Sequence, residues 1–347
     1  MKIKKLQFLK RETGLKFKIL EGEFYKMDRD LGINLARVTE GAALSCAKYL
    51  GQGDKNKSDA AAVNEMRDMF NLLNINGSIV IGEGEIDEAP MLYIGEEIGD
   101  PEAEDFVDIA VDPIDGTTAL ADGMPNSISV LAVTPKGNML HAPDVYMKKI
   151  AVGPKAKGLV DINKPVSDNI AVVAKALNKN VSDVTVTVLK RERHNKLVDA
   201  IRKTGARINM INDGDVLPAI EACMSGGGTD MLMGIGGAPE GIIAAAAVKC
   251  LGGDFQAIFW PSDGKQVKRC MDKNVDLEKV YTIEDLVKGD DVVFAATGIT
   301  SGTLLKGVSY LEANSATTES LLLRLPSGTV RRIESIHQLD KKYPHKF

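Results

Sequence analysis

Histidine and cysteine are scarce in this chain of 347 residues, with four of each. His141, His194, His337 and His345 form no pair at zinc-ligand spacing, which argues against a zinc site. Cys46, Cys223, Cys250 and Cys270 form no Cys-x-x-Cys pair and read as reduced, mostly buried thiols of a cytoplasmic protein. No run approaches the ~18 apolar residues of a membrane span. Also missing are a Gly-x-Ser-x-Gly nucleophile elbow, a Walker-type lysine loop and a His-based triad. The net charge of −5 argues against nucleic acid as a partner, while leaving room for a local basic pocket. No internal repeat or low-complexity segment is visible.

What remains is ordinary globular material, 44% hydrophobic and 26% charged, in a chain long enough for two joined subdomains. Residues 1–26 stand apart, with eight Lys/Arg against three Glu, so the other 321 residues carry −10. This segment has no apolar core of signal-peptide type and is expected to be a loose basic extension. The organisation expected beyond it is a metal-site subdomain over 27–180 and a second α/β subdomain over 181–347, whose late strands return toward the first.

The centre of the chain is Asp112-Pro113-Ile114-Asp115-Gly116-Thr117. The apolar stretch Phe106–Val111 predicts a strand, and Pro113 and Gly116 predict that it stops there in a tight turn. Alone, the hexapeptide also admits a lesser reading as a β-turn with solvated carboxylates. A second strand, Ser78–Ile81, runs into Glu83 and an acidic loop holding Glu85, Asp87 and Glu88. If the two strands are neighbours, Glu83, Asp112 and Asp115 meet at one sheet edge, where open α/β sheets bind ligands. Asp59 opens a helix after the polar loop Gly51–Ser58, a position that also suits a plain N-cap. Ser127–Val133 and Met139–Ala142 read as a hairpin pair. Tyr146 fits a core position or a ligand contact equally.

Beyond residue 180 three βα units follow one another, which predicts a parallel sheet. Their carboxyl-end loops hold Arg191-Glu192-Arg193, Asp213-Gly214-Asp215 and Gly236-Gly237-Ala238-Pro239-Glu240. Arginine grips phosphate in bidentate fashion, and helix N-termini offer free N–H groups to phosphate or sugar. Residues 261–290 suggest no chemistry. Asp59, Glu83, Asp112, Asp115 and Glu240 are hard oxygen donors suited to Mg²⁺ or Mn²⁺. Set beside Arg191 and Arg193, they point to metal-assisted phosphoester hydrolysis, with Thr117 beside the attacking water.

These residues resemble a known signature. Asp112–Thr117 is similar to that of the lithium-sensitive, magnesium-dependent inositol and sugar phosphatases. Over 27–347 the chain resembles the class II bacterial fructose-1,6-bisphosphatases, on Gly53-Asp54-Lys55-Asn56…Asp59, Ile81–Met91, Val111–Thr117, Ala142–Met147, Asp213–Asp215, Gly236–Gly241 and Ala296–Thr300. The resemblance implies a layered α/β/α/β/α sandwich in two subdomains, a dimer or tetramer of like chains, and removal of the 1-phosphate of fructose 1,6-bisphosphate in gluconeogenesis. It implies Mn²⁺ or Mg²⁺ on Asp59, Glu83, Asp112, Asp115 and Glu240, and Thr117 and Asp87 as catalytic residues. Substrate contacts would come from Asp115, Gly116, Thr117, Tyr146, Arg191, Glu192, Arg193, Asp213, Gly214, Asp215 and Gly237. Asp115 departs from the pattern, since class II members often carry Glu there. Alternatives are a dual fructose/sedoheptulose bisphosphatase, an inositol-monophosphatase-like enzyme and, more remotely, a non-catalytic divalent-cation binder.

Overall fold

The computed structural model describes residues 5–9, 16–20, 27–84, 91–224, 226, 228–312 and 314–342. The basic extension holds β1 (Lys5–Leu9) and β2 (Lys16–Leu20), paired antiparallel. Next come α1 (Leu31–Ala47), α2 (Lys55–Phe70), β3 (Asn76–Ile81), β4 (Glu97–Gly99), β5 (Phe106–Asp115), α3 (Thr117–Ala121) and β6 (Ile128–Pro135). β7 (Tyr146–Val152), α4 (Val166–Leu177), β8 (Thr185–Leu189), α5 (Asn195–Thr204), β9 (Arg207–Ile211), α6 (Val216–Cys223), β10 (Met231–Gly237) and α7 (Ala238–Cys250) form the middle of the chain. The remainder is β11 (Asp254–Trp260), α8 (Gly264–Asp272), β12 (Tyr281–Thr282), α9 (Ile283–Leu286), β13 (Val293–Gly298), β14 (Ser309–Leu311), β15 (Ser315–Arg324), β16 (Thr329–Gln338) and α10 (Leu339–Lys342).

Two large sheets result. One has eight strands in the order β14-β15-β13-β6-β5-β3-β4, with β16 paired to β15; the other has six, β12-β11-β7-β10-β8-β9. Helices α1 and α2 cover the outer face of the larger sheet, where Leu35, Met66, Ile109, Leu131 and Val133 share one core. Helices α6 and α7 lie between the sheets, with Val130, Ala132, Met147, Ala151 and Phe255 packed around them. Helices α4 and α5 close the far face over Val152, Val186 and Met231. The layers therefore run α/β/α/β/α, as expected. Strand β6 shows why the larger sheet is central. Its side chains alternate between the two cores, and every residue from Ile128 to Thr134 is buried. Both faces of a strand are apolar when helices cover both sides.

The chain changes sheets between Pro135 and Tyr146, ahead of the division expected at residue 180, and returns between Thr282 and Val293. The expected hairpin of Ser127–Val133 with Met139–Ala142 does not form. β6 pairs with β5 and β13 instead, and Met139 makes only an isolated bridge to Val287. Both neighbours of β6 are longer strands, which outcompete a four-residue partner.

Candidate active site

β3 and β5 are parallel neighbours, so Glu83 and the hexapeptide leave the sheet at the same edge. The strand does not stop at Val111. It continues to Asp115 through an irregularity in which Asp112 faces Val130 and Asp115 faces Ile128. One extra residue is thus accommodated on β5. In a regular strand residues three apart point to opposite faces; a bulge restores them to one face. Pro113, which lacks an N–H, falls inside the bulge. The turn comes at Gly116, whose φ of +92° is left-handed, and α3 starts directly after it.

Asp54, not Asp59, caps α2: its side chain accepts from the Lys57 N–H at 3.0 Å. Asp59 lies one turn further in and is hydrogen-bonded to the Thr117 hydroxyl. That hydroxyl also stands 3.1 Å from the Ile114 carbonyl. The third βα junction has no loop either, since β10 runs to Gly237 and α7 opens at Ala238 with Glu240 in its first turn. The backbone there passes so close to the acids that a Cβ on Gly237 would lie 1.9 Å from Glu240 Oε2, and one on Gly236 2.2 Å from Asp215 Oδ2.

A cavity of about 550 Å³ gathers most of the expected residues: Glu83, Asp112, Asp115, Gly116, Thr117, Tyr146, Arg191, Arg193, Asp213, Gly214, Asp215, Gly237 and Glu240. Asp59 sits behind Thr117. Glu192 is exposed and is not among the lining residues. Asp87, with Glu85 and Glu88, lies outside the described residues.

The electrostatics divide the cavity in two. On one side burial pushes the acids toward their protonated forms, and mutual repulsion adds to it. Glu83 rises to about 7, through burial first and then Asp59, Glu240 and Asp144. Asp112 rises well above the usual carboxylate range, through burial, then Asp115 and Glu83. Asp115 does likewise, through burial, then Asp215, Glu240 and Asp213. Glu240 and Asp59 shift upward for the same first reason. Asp115 Oδ2 and Glu240 Oε2 are buried with no hydrogen-bond partner among the described residues. Buried carboxylate oxygens left unpaired are costly, and a hard cation is their natural complement. As the side chains stand, no three described His, Cys, Asp or Glu groups surround one point that an ion would fill. Bare carboxylates repel one another, so their terminal torsions would have to turn to enclose a cation.

On the other side, Arg191 donates to the Asn212 carbonyl at 2.6 Å, and Arg193 to the Ile235 carbonyl at 3.1 and 2.8 Å. The Arg193 guanidinium lies 4.7 Å from the centre of the Tyr146 ring, which settles Tyr146 as a cavity residue.

Three cavity residues, and a buried lysine next to them, escaped the sequence reading. Gln266 and Arg269 come from α8, in the stretch that suggested no chemistry, and Asp144 precedes β7. Lys149 is buried beside them, its Nζ 2.9 Å from Asp215 Oδ1, 2.8 Å from Asp215 Oδ2 and 3.0 Å from the Gly237 carbonyl. A signal for Lys149 existed: it alternates with Met147 and Ala151, so a strand there turns the lysine inward with them.

The family model for bacterial, glpX-encoded fructose-1,6-bisphosphatase matches residues 29–337. Fructose-1,6-bisphosphatase 1 class 2 of Escherichia coli K12 is 50% identical over 331 residues, covering 92% of this chain and 98% of that protein. The fructose-1,6-bisphosphatase class 2 of Shigella flexneri matches at the same 50%, over the same shares of both chains. Among solved structures, an extragenic suppressor from Pyrococcus furiosus is similar at a TM-score of 0.30 and 15% identity, over 58% of this chain and 71% of that one. The suppressor protein suhB of Bartonella henselae gives 0.32 and 13%, over 56% and 74%. With a family model running from one end of the described core to the other, and half the positions shared with nearly full-length relatives, the chain belongs to the bacterial glpX-encoded fructose-1,6-bisphosphatases.

Proposed function

We propose that this chain hydrolyses the 1-phosphate of fructose 1,6-bisphosphate to fructose 6-phosphate and phosphate, with Mn²⁺ or Mg²⁺, as a step of gluconeogenesis. As a member of a phosphatase family it is a phosphoric monoester hydrolase. The observation that carries the finer reading is the pairing of an acidic wall with two arginines in one cavity. Asp59, Glu83, Asp112, Asp115 and Glu240 would hold the cation. Bound there, Mn²⁺ or Mg²⁺ would supply a Lewis acid that neutralises phosphoryl charge and lowers the pKa of a water.

The chain's own groups do the rest. Thr117 has one hydroxyl proton, and Asp59 and the Ile114 carbonyl compete for it. Either way its lone pairs are left to accept a hydrogen from water and orient it for attack. Arg191 and Arg193 neutralise the second phosphate. Asp213 and Asp215 offer acceptors to sugar hydroxyls, and Lys149 fixes Asp215. Asp87 is proposed as a further catalytic acid on the resemblance alone. The two sheets would form two subdomains with the cavity at their shared edge. The protein would work in the cytoplasm as a homo-oligomer; among the described residues no helix is long and apolar enough to cross a membrane.

Phosphate release from fructose 1,6-bisphosphate tests the reading, with Mn²⁺, Mg²⁺ or chelator, and sedoheptulose 1,7-bisphosphate and inositol 1-phosphate alongside. Metal-dependent release, fastest from the fructose ester, is expected. No release by folded protein with either metal overturns it.

A further inference from the structure

We propose that His194 is a positioning residue for the second-phosphate grip: its neutral imidazole ties β8 to β10 and so fixes Arg193. The proposal rests on reading Arg193 as a phosphate ligand. β8 and β10 are paired only at Val186–Met231 and Thr187–Leu232. Beyond those rungs β8 follows β9 to Leu189, while β10 follows β7 to Gly237. The His194 ring fills the gap where the ladder opens. Its Nδ1 is 2.6 Å from the Leu189 carbonyl, and the Ile235 N–H lies 2.7 Å from its Nε2. A carbonyl can only accept and an amide N–H can only donate, so the hydrogen sits on Nδ1 and the lone pair on Nε2.

The same Ile235 is held from its other end. Its carbonyl takes two of the five N–H donors of Arg193. Consecutive side chains thus clamp both polar groups of one residue. Tyr146 completes the frame, since it pairs with Gly237 in the ladder and lies under the guanidinium. Gly234 makes room for the ring: a Cβ there would stand 3.2 Å from its atoms, on a backbone with φ of +147°. Burial, with Arg193 and Arg191 close by, favours the uncharged ring. At 1% exposure His194 cannot touch substrate, so it acts through Arg193.

Kinetics on the full chain test this. His194→Ala is expected to raise KM for fructose 1,6-bisphosphate roughly tenfold while kcat changes less than about twofold, the pattern of lost uniform binding. In His194→Gln, an amide oxygen can reach the Nε2 position and recover most of the loss. If the ring were only a core filler, kcat and folded fraction would fall with no rescue by Gln, and the proposal fails. An unchanged KM in a folded Ala variant also overturns it. Should both variants fail to fold, long-range ¹⁵N NMR of the wild type decides: the Nδ1–H tautomer through neutral pH supports the clamp, and the other tautomer or a charged ring refutes it. Wild type that turns over no fructose 1,6-bisphosphate removes the functional reading itself, whereas normal turnover with an unaltered variant removes only this one.

Discussion

Without divalent cations the protein is expected to lose stability from about pH 4.5 to about pH 7, and Glu83→Gln to remove a measurable part of that loss. An unfolded glutamate releases its proton near 4.5, whereas Glu83 in the folded chain keeps it to about 7. Across that window the folded state binds more protons than the unfolded one, so the free energy of unfolding falls as pH rises. Below about 4.5 the group costs nothing, and above about 7 the cost is complete. At 1.36 kcal/mol per unit the interval is worth at most about 3 kcal/mol. Glu83 opens into the cavity, where water screens it, and roughly 1–2 kcal/mol survives that discount. Each kcal/mol moves Tm by about 2–4 °C in a large domain, so wild type and variant should diverge by a few degrees. Thermal melts in chelator at stepped pH measure it, and the difference between the two proteins cancels other titrations. Added Mn²⁺ or Mg²⁺ should stabilise more at high pH, because only deprotonated carboxylates bind it. A wild-type-minus-variant difference that is flat with pH, or largest at the acid end, refutes the reasoning.

Replacing Thr117 with Ala should lower kcat by about 10²–10³-fold. Thermal stabilisation by Mn²⁺ should persist in that variant, which separates catalysis from cation binding in one preparation. Lys149→Met removes the cation paired with buried Asp215, at a cost of about 3–5 kcal/mol in urea titrations. Adding Asp215→Leu should recover much of it; a double variant as unstable as the single one would show the pair is not the cause. Gly237→Ala needs no unusual backbone, since φ there is −62°, but its methyl displaces the Glu240 carboxyl. The cation concentration for half-maximal activity should rise roughly 10–100-fold with Tm nearly unchanged, and an unshifted metal titration would count against Glu240 as a ligand.

Much of this was legible in advance because it rests on period and order. Three βα units in succession predict parallel neighbours, and β9, β8 and β10 are parallel, although β7 and β12 make the whole sheet mixed; all three junctions did reach one cavity. Glu83, Asp112, Asp115 and Glu240 reached it, with Asp59 just behind Thr117, because strand ends and helix starts are written in Gly, Pro and apolar runs. The misses have physical causes. Asp59 passed for the start of α2 because the true cap, Asp54, five residues earlier, is chemically identical. The hexapeptide passed for a turn because a bulge and a turn use the same residues, and only the partner register tells them apart. Met139 passed for a strand because sequence does not reveal that β13, from the far end of the chain, claims the flank of β6. Lys149 lay hidden among apolar neighbours. Arg269 and Gln266 project from a helix with no distinguishing motif, and only packing brings them to the cavity.

The place of β13 has a consequence for how the protein is made. β6 emerges with both faces apolar and one side paired to β5, but its other side waits for Val293–Gly298, about 160 residues further on. At ~5–20 residues per second of synthesis that edge stays open for roughly ten to thirty seconds. An open apolar strand is a template for any other chain nearby. Half of the larger sheet therefore emerges from the ribosome well before its missing centre strand exists, and the yield of folded protein is expected to depend on what shields β6 meanwhile.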